Sequence, residues 1–285
     1  MDTNSKSSKS ILASPWVYFA VAYGWTWTFW ILAARLGISL NTNSGVGLLV
    51  LGLFGPAIGG IGFTYLTQDK MSRRDYWQRV IDPRRISIRW YLVIFLFFPA
   101  ISVLAARLDV LSGGSGATMG GAVEQLAIIP TLITLFLPAF MEELGWRGYA
   151  LDRLQSRWSA LVSSLILGIL WAFWHTPLFF FKDSIQYKMG FGSLGFWTFM
   201  LGTICVAIYL TWIFNNTYRS TLSAILWHAL ANGWAGVFTL TGQASNYSAA
   251  LWLVAAIVIT LLWGPKTLAR QNKTTQPPYP HSYAK

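Results

Sequence analysis

Long apolar runs, rather than alternation of apolar and polar positions, dominate this chain. Eight can be marked, at about 16–34, 46–66, 90–107, 123–141, 161–181, 194–214, 222–240 and 249–263. Each comes close to the roughly 20 residues of helix that cross a hydrocarbon core of about 30 Å. In lipid a segment must satisfy its own backbone N–H and C=O groups, which helices do and isolated strands do not. Continuous hydrophobicity, without a period of two, excludes a porin-like barrel. The pattern predicts an all-α, polytopic transmembrane bundle of about eight spanning helices.

The polar connectors set the organisation. A single transmembrane domain is expected over 15–265, flanked by a tail at 1–14 and a disordered tail at 266–285 that contains Pro277, Pro278 and Pro280. The first apolar run follows Lys6 and Lys9, as the core of a signal peptide would. Its length and its tryptophans, Trp25, Trp27 and Trp30, mark it instead as a retained span. Cations alternate between connectors. Lys70, Arg73, Arg74, Arg79, Arg84, Arg85 and Arg89 follow the second run, Arg147, Arg153 and Arg157 the fourth, Arg219 the sixth, and Lys266, Arg270 and Lys273 the last. The opposite connectors hold only Arg35, Arg107, Lys182 and Lys188. The positive-inside rule then puts both termini in the cytoplasm, in keeping with an even helix count. Gly113, Gly114 and Gly116 mark a flexible loop on the other side.

Composition agrees. Charged residues make up 11% and hydrophobic ones 54%, with a mean hydropathy of +0.48, against about 25% charged in a soluble domain. A net charge of +11 would suggest nucleic acid in a soluble protein. Here the cations sit between spans, where they set topology and meet lipid headgroups, so no nucleic-acid partner is expected. Cys205 is the sole cysteine and forms no internal disulfide. The 16 tryptophans read mostly as interface belts and helix packing, and Gly52, Gly55, Gly59, Gly60 and Gly62 as close helix contact.

Against this background a few polar residues stand out. His175 and His228 lie inside apolar runs, Glu142 and Glu143 follow one directly, and Asn232 is one turn beyond His228. Ionisable groups at membrane depth cost about 2.5–3.5 kcal/mol each on insertion scales and are read as functional. His228 and Asn232, at i and i+4, share a helix face. Glu143 and Arg147 have the same spacing, in the order that favours an ion pair, while Glu142, about 100° round the helix, faces elsewhere. A hairpin turning near 155–159 brings Glu142 and His175 to one depth, provided the fourth helix continues past Met141 to about Arg153. His228 lies only some nine residues, roughly 13 Å, from the cytoplasmic end of its own helix. Meeting the other two therefore requires a tilted or partly submerged hairpin.

Such a set can hydrolyse an acyl bond in two ways. Glu and His can activate water while a second His with Asn stabilises an oxyanion, or Glu142, His175 and His228 can hold zinc. No HExxH, GxSxG or P-loop motif competes. A proton-coupled transporter is the rival reading, weakened by the lack of internal repeats and of paired broken helices. A catalytically idle scaffold or immunity protein is the other.

The same residues carry a family resemblance. Glu142-Glu143-Leu-Gly-Trp-Arg147 resembles an EExxxR motif, Trp171-Ala-Phe-Trp-His175 an FxxxH motif and His228-Ala-Leu-Ala-Asn232 an HxxxN motif. Together they are similar to the CPBP or ABI group of intramembrane proteases, which comprises type II CAAX prenyl endopeptidases and bacteriocin-processing or immunity-associated relatives. The resemblance spans about 138–236 and departs at Trp171, where the motif has Phe. It implies that Glu142 and His175 activate water, that His228 and Asn232 form the oxyanion site, and that Glu143 and Arg147 give structural support. No cofactor is favoured, with zinc as the alternative, because Asn232 is a poor zinc ligand and a good hydrogen-bond donor. The implied substrate is a membrane-associated protein or peptide, lipidated or not, reached from the cytoplasmic side of the plasma membrane if the chain is prokaryotic.

Overall fold

A computed structural model describes residues 12–119, 128–240 and 242–270, so most of both expected tails lies outside the described residues. The chain is a helix bundle. Its helices are α1 (Pro15–Arg35), α2 (Asn43–Thr67), α3 (Lys70–Ile81), α4 (Ile88–Leu111), α5 (Ile128–Gly145), α6 (Leu151–Gln155), α7 (Ala160–Trp174), α8 (Ile185–Met189), α9 (Leu194–Asn216), α10 (Thr221–Val237) and α11 (Gln243–Trp263). Strands are confined, among the described residues, to a short antiparallel pair, β1 (Ala117–Met119) with β2 (Phe238–Leu240), which the apolar runs did not foreshadow. Among the described residues, six helices are long and apolar enough to cross a membrane: α1, α2, α4, α7 prolonged to Phe179, α9 and α11. The other two expected runs are also helical, as α5 and α10, although residues 123–127 lie outside the described set.

The helix ends form two layers. At one end Ala160 N–H bonds to the Lys266 carbonyl at 2.9 Å, Asn215 bonds to Gln155 and Thr267, and Arg85 bonds to the Tyr218 carbonyl. Most of the connector cations gather there. At the opposite end Leu40 N–H bonds to the Lys182 carbonyl at 2.9 Å, and Tyr247 reaches Ser112.

Helix α1 packs along α2, α2 along α5, and α5 along α10. The α2–α5 crossing is close enough to bring backbones together. A Cβ on Gly60 would stand 2.5 Å from the Leu144 carbonyl oxygen, so any side chain there would push away the helix that carries Glu142 and Glu143. Gly62, expected in the same role, has nothing within 4 Å of a built Cβ and takes no part. Several tryptophans are core rather than belt: Trp30, Trp146, Trp174 and Trp227 are fully buried. Trp30 and Trp146 both contact Trp174, with ring centroids 4.7 and 5.8 Å from it.

Part of the cation-rich end is buried. Asp152 accepts from Arg79 at 3.0 Å and from Arg219 Nε at 3.1 Å, and Asp75 pairs with Arg79 at 3.1 Å and Arg85 at 2.9 Å. Burial alone would raise the Asp152 carboxyl, but Arg219 and Arg79 outweigh it and hold the group below the usual carboxylate range. Part of the Arg-rich connector thus ties α3 and α6 to the 217–220 turn, beyond setting topology. Thr217, Ser220, Thr221 and Ser223 beneath this cluster are fully buried, so α10 starts inside the protein rather than at its surface.

Candidate active site

The fourth apolar run does continue past Met141. Helix α5 passes into a wide π turn, Trp146–Ala150, and then into α6; an extra residue inserted into a helical turn is a recurrent feature of functional sites. The chain reverses after Gln155, and Ser159 caps α7 by accepting from Val162 N–H at 3.3 Å. Helix α7 was expected to run to about residue 181. It ends instead at Trp174, with His175 as its C-cap, because Pro177 has no N–H to continue the ladder. A 3-10 turn, Thr176–Phe179, takes over, and His175 stands at the break.

Three helices then converge. Glu142 Oε2 accepts from the indole N–H of Trp146 at 3.3 Å and from that of Trp171. Both donors bind the same oxygen, and among the described residues nothing donates to Oε1. Glu143, facing the other way, accepts from Arg147 Nη1 at 2.9 and 3.1 Å. Its Oε1 also lies 2.9 Å from His228 Nδ1. All four of these charged or ionisable groups are buried, with Glu143 and Arg147 at 0% exposure.

The tautomers follow from these partners. His175 Nδ1 lies 2.8 Å from the Trp171 carbonyl oxygen; a carbonyl cannot donate, so Nδ1 carries the proton and Nε2 keeps its lone pair. His228 Nδ1 donates to the Glu143 carboxylate. Trp171 stands between the two imidazoles, with ring centroids 6.1 Å from His175 and 5.2 Å from His228. The Arg147 guanidinium carbon lies 4.9 Å from its ring centroid.

The depth problem for His228 is resolved by the buried start of α10. His228 lies about two turns into a helix that begins beside the Arg79–Asp152–Arg219 cluster, and so it meets Glu143. Asn232, one turn further on, is exposed and not enclosed among the helices. Glu142, Glu143, Arg147 and His228 are brought together directly, and His175 joins them through Trp171. Sequence reasoning missed three contacts: both indole donors to Glu142, and the second partner of Glu143. Trp146 had a signal, since it lies four residues after Glu142. Among the described residues, no three His, Cys, Asp or Glu side chains are grouped so as to hold a metal ion.

Comparison with known proteins bears on this arrangement. A family model described as type II CAAX prenyl endopeptidase, Rce1-like, matches residues 124–234, which include every residue of the site. A protein named CAAX prenyl protease 2, from Methanococcus maripaludis, is 32% identical over 253 residues, covering 86% of this chain and 93% of that protein.

Proposed function

The chain belongs to the Rce1-like family of type II CAAX prenyl endopeptidases, and from that premise we propose that Glu142 and His175 activate a water for peptide-bond hydrolysis within the membrane. It is an integral membrane protein and a protease of the CAAX prenyl type. The observation that carries the proposed mechanism is the binding of Glu142 through one oxygen only, by two indole donors. That fixes the carboxylate and leaves Oε1 to accept a proton.

In the proposed reaction, Glu142 Oε1 takes a proton from water, which is oriented by the Nε2 lone pair of His175. The resulting hydroxide adds to the scissile carbonyl carbon. The oxyanion so formed is met by His228 and by the Asn232 carboxamide. Nε2 donates in the form of the ring that holds both protons, with Nδ1 bonded to the Glu143 carboxylate. As the C–N bond breaks, Glu142 returns its proton to the leaving nitrogen, giving a carboxylic acid and an amine. The substrate is a membrane-associated protein or peptide with a lipidated, in the first instance prenylated, cysteine. Quantitative proteomics of membranes from cells carrying wild type or Glu142→Gln should reveal proteins shortened only in the wild type. Identical peptide ends in both would count against the reading.

Trp171 contributes a hydrogen bond that Phe, the residue of the family motif, lacks. A bond to a charged group is worth roughly 1.5–3 kcal/mol. Trp171→Phe should therefore lower kcat by about ten- to a hundredfold, with KM little changed. An unaltered kcat would remove Trp171 from the account of Glu142.

No obligatory metal belongs to this mechanism. The two indole donors on Glu142 Oε2, and the position of Asn232, a poor zinc ligand, one turn beyond His228, support that reading. Stoichiometric zinc in purified active protein, with activity lost to a chelator and restored by zinc, would overturn it. The positive-inside rule supports a cytoplasmic position for the cation-rich end. In a Cys205→Ala background, single cysteines at Arg84 and Ser156 should resist an impermeant thiol reagent applied to intact cells, while those at Gly113 and Lys188 react. The reverse pattern would invert the topology.

A further inference from the structure

Several cations of the basic end are already paired with carboxylates. Arg79, Arg85 and Arg219 are neutralised by Asp75 and Asp152, and Arg84 by Asp82. Arg89 and Arg270 have no carboxylate partner among the described residues. Both line a cleft of about 300 Å³, walled by Trp90 and Val93 of α4, Trp212 and Asn216 of α9, and Trp263 of α11.

The cleft has an aromatic floor and a cationic rim. Trp212 packs edge-on against Trp90 and Trp263, with centroids 4.8 and 5.0 Å away. The Arg270 guanidinium carbon lies 4.5 Å from the centroid of the Trp263 ring, and its Nε donates to the Leu262 carbonyl at 3.3 Å, which leaves both terminal nitrogens as donors. Arg89 is exposed and stands in the first turn of α4, where unpaired backbone N–H groups add to the positive potential. The Asn216 amide donates instead to the Trp212 and Leu268 carbonyls. An occupant therefore meets guanidinium groups and no acid.

We propose that this cleft binds the phosphodiester headgroup of an anionic phospholipid. The cleft sits where α4 begins and where α9 and α11 end, the level at which Trp and Arg meet headgroups in a spanning bundle. Val93 and the tryptophan floor continue the wall from the charged rim into the apolar helices, which suits a glycerol backbone and the start of its acyl chains. A free phosphate would use only the rim.

Native mass spectrometry of the full chain, titrated with phosphatidylglycerol or phosphatidylcholine of equal chain length, tests the proposal. One phosphatidylglycerol per chain should be retained under activation that strips phosphatidylcholine. Arg89→Gln with Arg270→Gln should weaken retention by roughly thirtyfold, while Arg84→Gln, at a cation already paired with Asp82, leaves it unchanged. Excess glycerol 3-phosphate should not displace the lipid. Should the double variant fail to fold, Arg89→Gln alone, at an exposed position, must still lower retention by about fivefold. Equal retention of the two lipids, full retention by the variants, or displacement by glycerol 3-phosphate would each overturn the assignment.

Discussion

Glu142→Gln should reduce peptide cleavage by about a thousandfold or more, with expression and thermal stability close to wild type. The substitution keeps the shape of the side chain and an oxygen that can accept from Trp146 and Trp171, so the local packing survives. It removes the one group placed to take a proton from water, and general-base catalysis is worth about 10²–10⁴. His175→Ala and His228→Ala should also abolish cleavage, because each removes an imidazole whose Nδ1 is fixed and whose Nε2 the proposed reaction uses. Asn232→Ala should cost on the order of a hundredfold, the usual loss for one oxyanion donor. The readout is the rate of cleavage of a membrane-bound peptide, with melting temperature as the control. Near wild-type rates in Glu142→Gln or in either histidine variant would remove that residue from the mechanism.

The second large effect is on stability. Glu143 and Arg147 are both fully buried and joined at 2.9 Å. Arg147→Ala leaves the buried Glu143 carboxylate without its cation and with His228 as its remaining partner, and breaking a buried pair costs about 3–5 kcal/mol. It also strips the guanidinium from the face of Trp171. Replacing both partners, as Glu143→Gln with Arg147→Gln, leaves no stranded charge and should recover much of the loss in an unfolding titration. Activity should not return with it, since His228 no longer faces a carboxylate at Nδ1. A double variant as unstable as Arg147→Ala would contradict the pairing. One that is both stable and active would contradict the role of Glu143 at His228.

These two effects separate what was legible in the sequence from what was not. The helices were legible because an apolar run of spanning length permits little else, and the Glu143–Arg147 bond because i and i+4 meet on any helix. The hairpin near 155–159 could be read from the interruption of the apolar pattern. The bonds from Trp171 to Glu142, from His228 to Glu143 and from Arg219 to Asp152 cross 29, 85 and 67 residues, and depend on how helices rotate and slide in the bundle. Periodicity carries no such information. The buried start of α10 was hidden for the same reason: residues 217–223 are polar and look like surface until Arg79 and Asp152 cover them. Pro177 explains the early end of α7, and it stood in the sequence as a helix-breaking signal that the length of the apolar run obscured.

The most direct test of the account is the mass of the products. The purified chain, reconstituted in liposomes with a peptide bearing a prenylated cysteine near its C-terminus, should yield two fragments whose masses sum to that of the substrate plus one water. The cut should fall beside the modified cysteine, and Glu142→Gln should leave the peptide intact. A peptide left whole by folded wild-type protein, or cut equally well by Glu142→Gln, would contradict the claim that this is an endopeptidase working through Glu142.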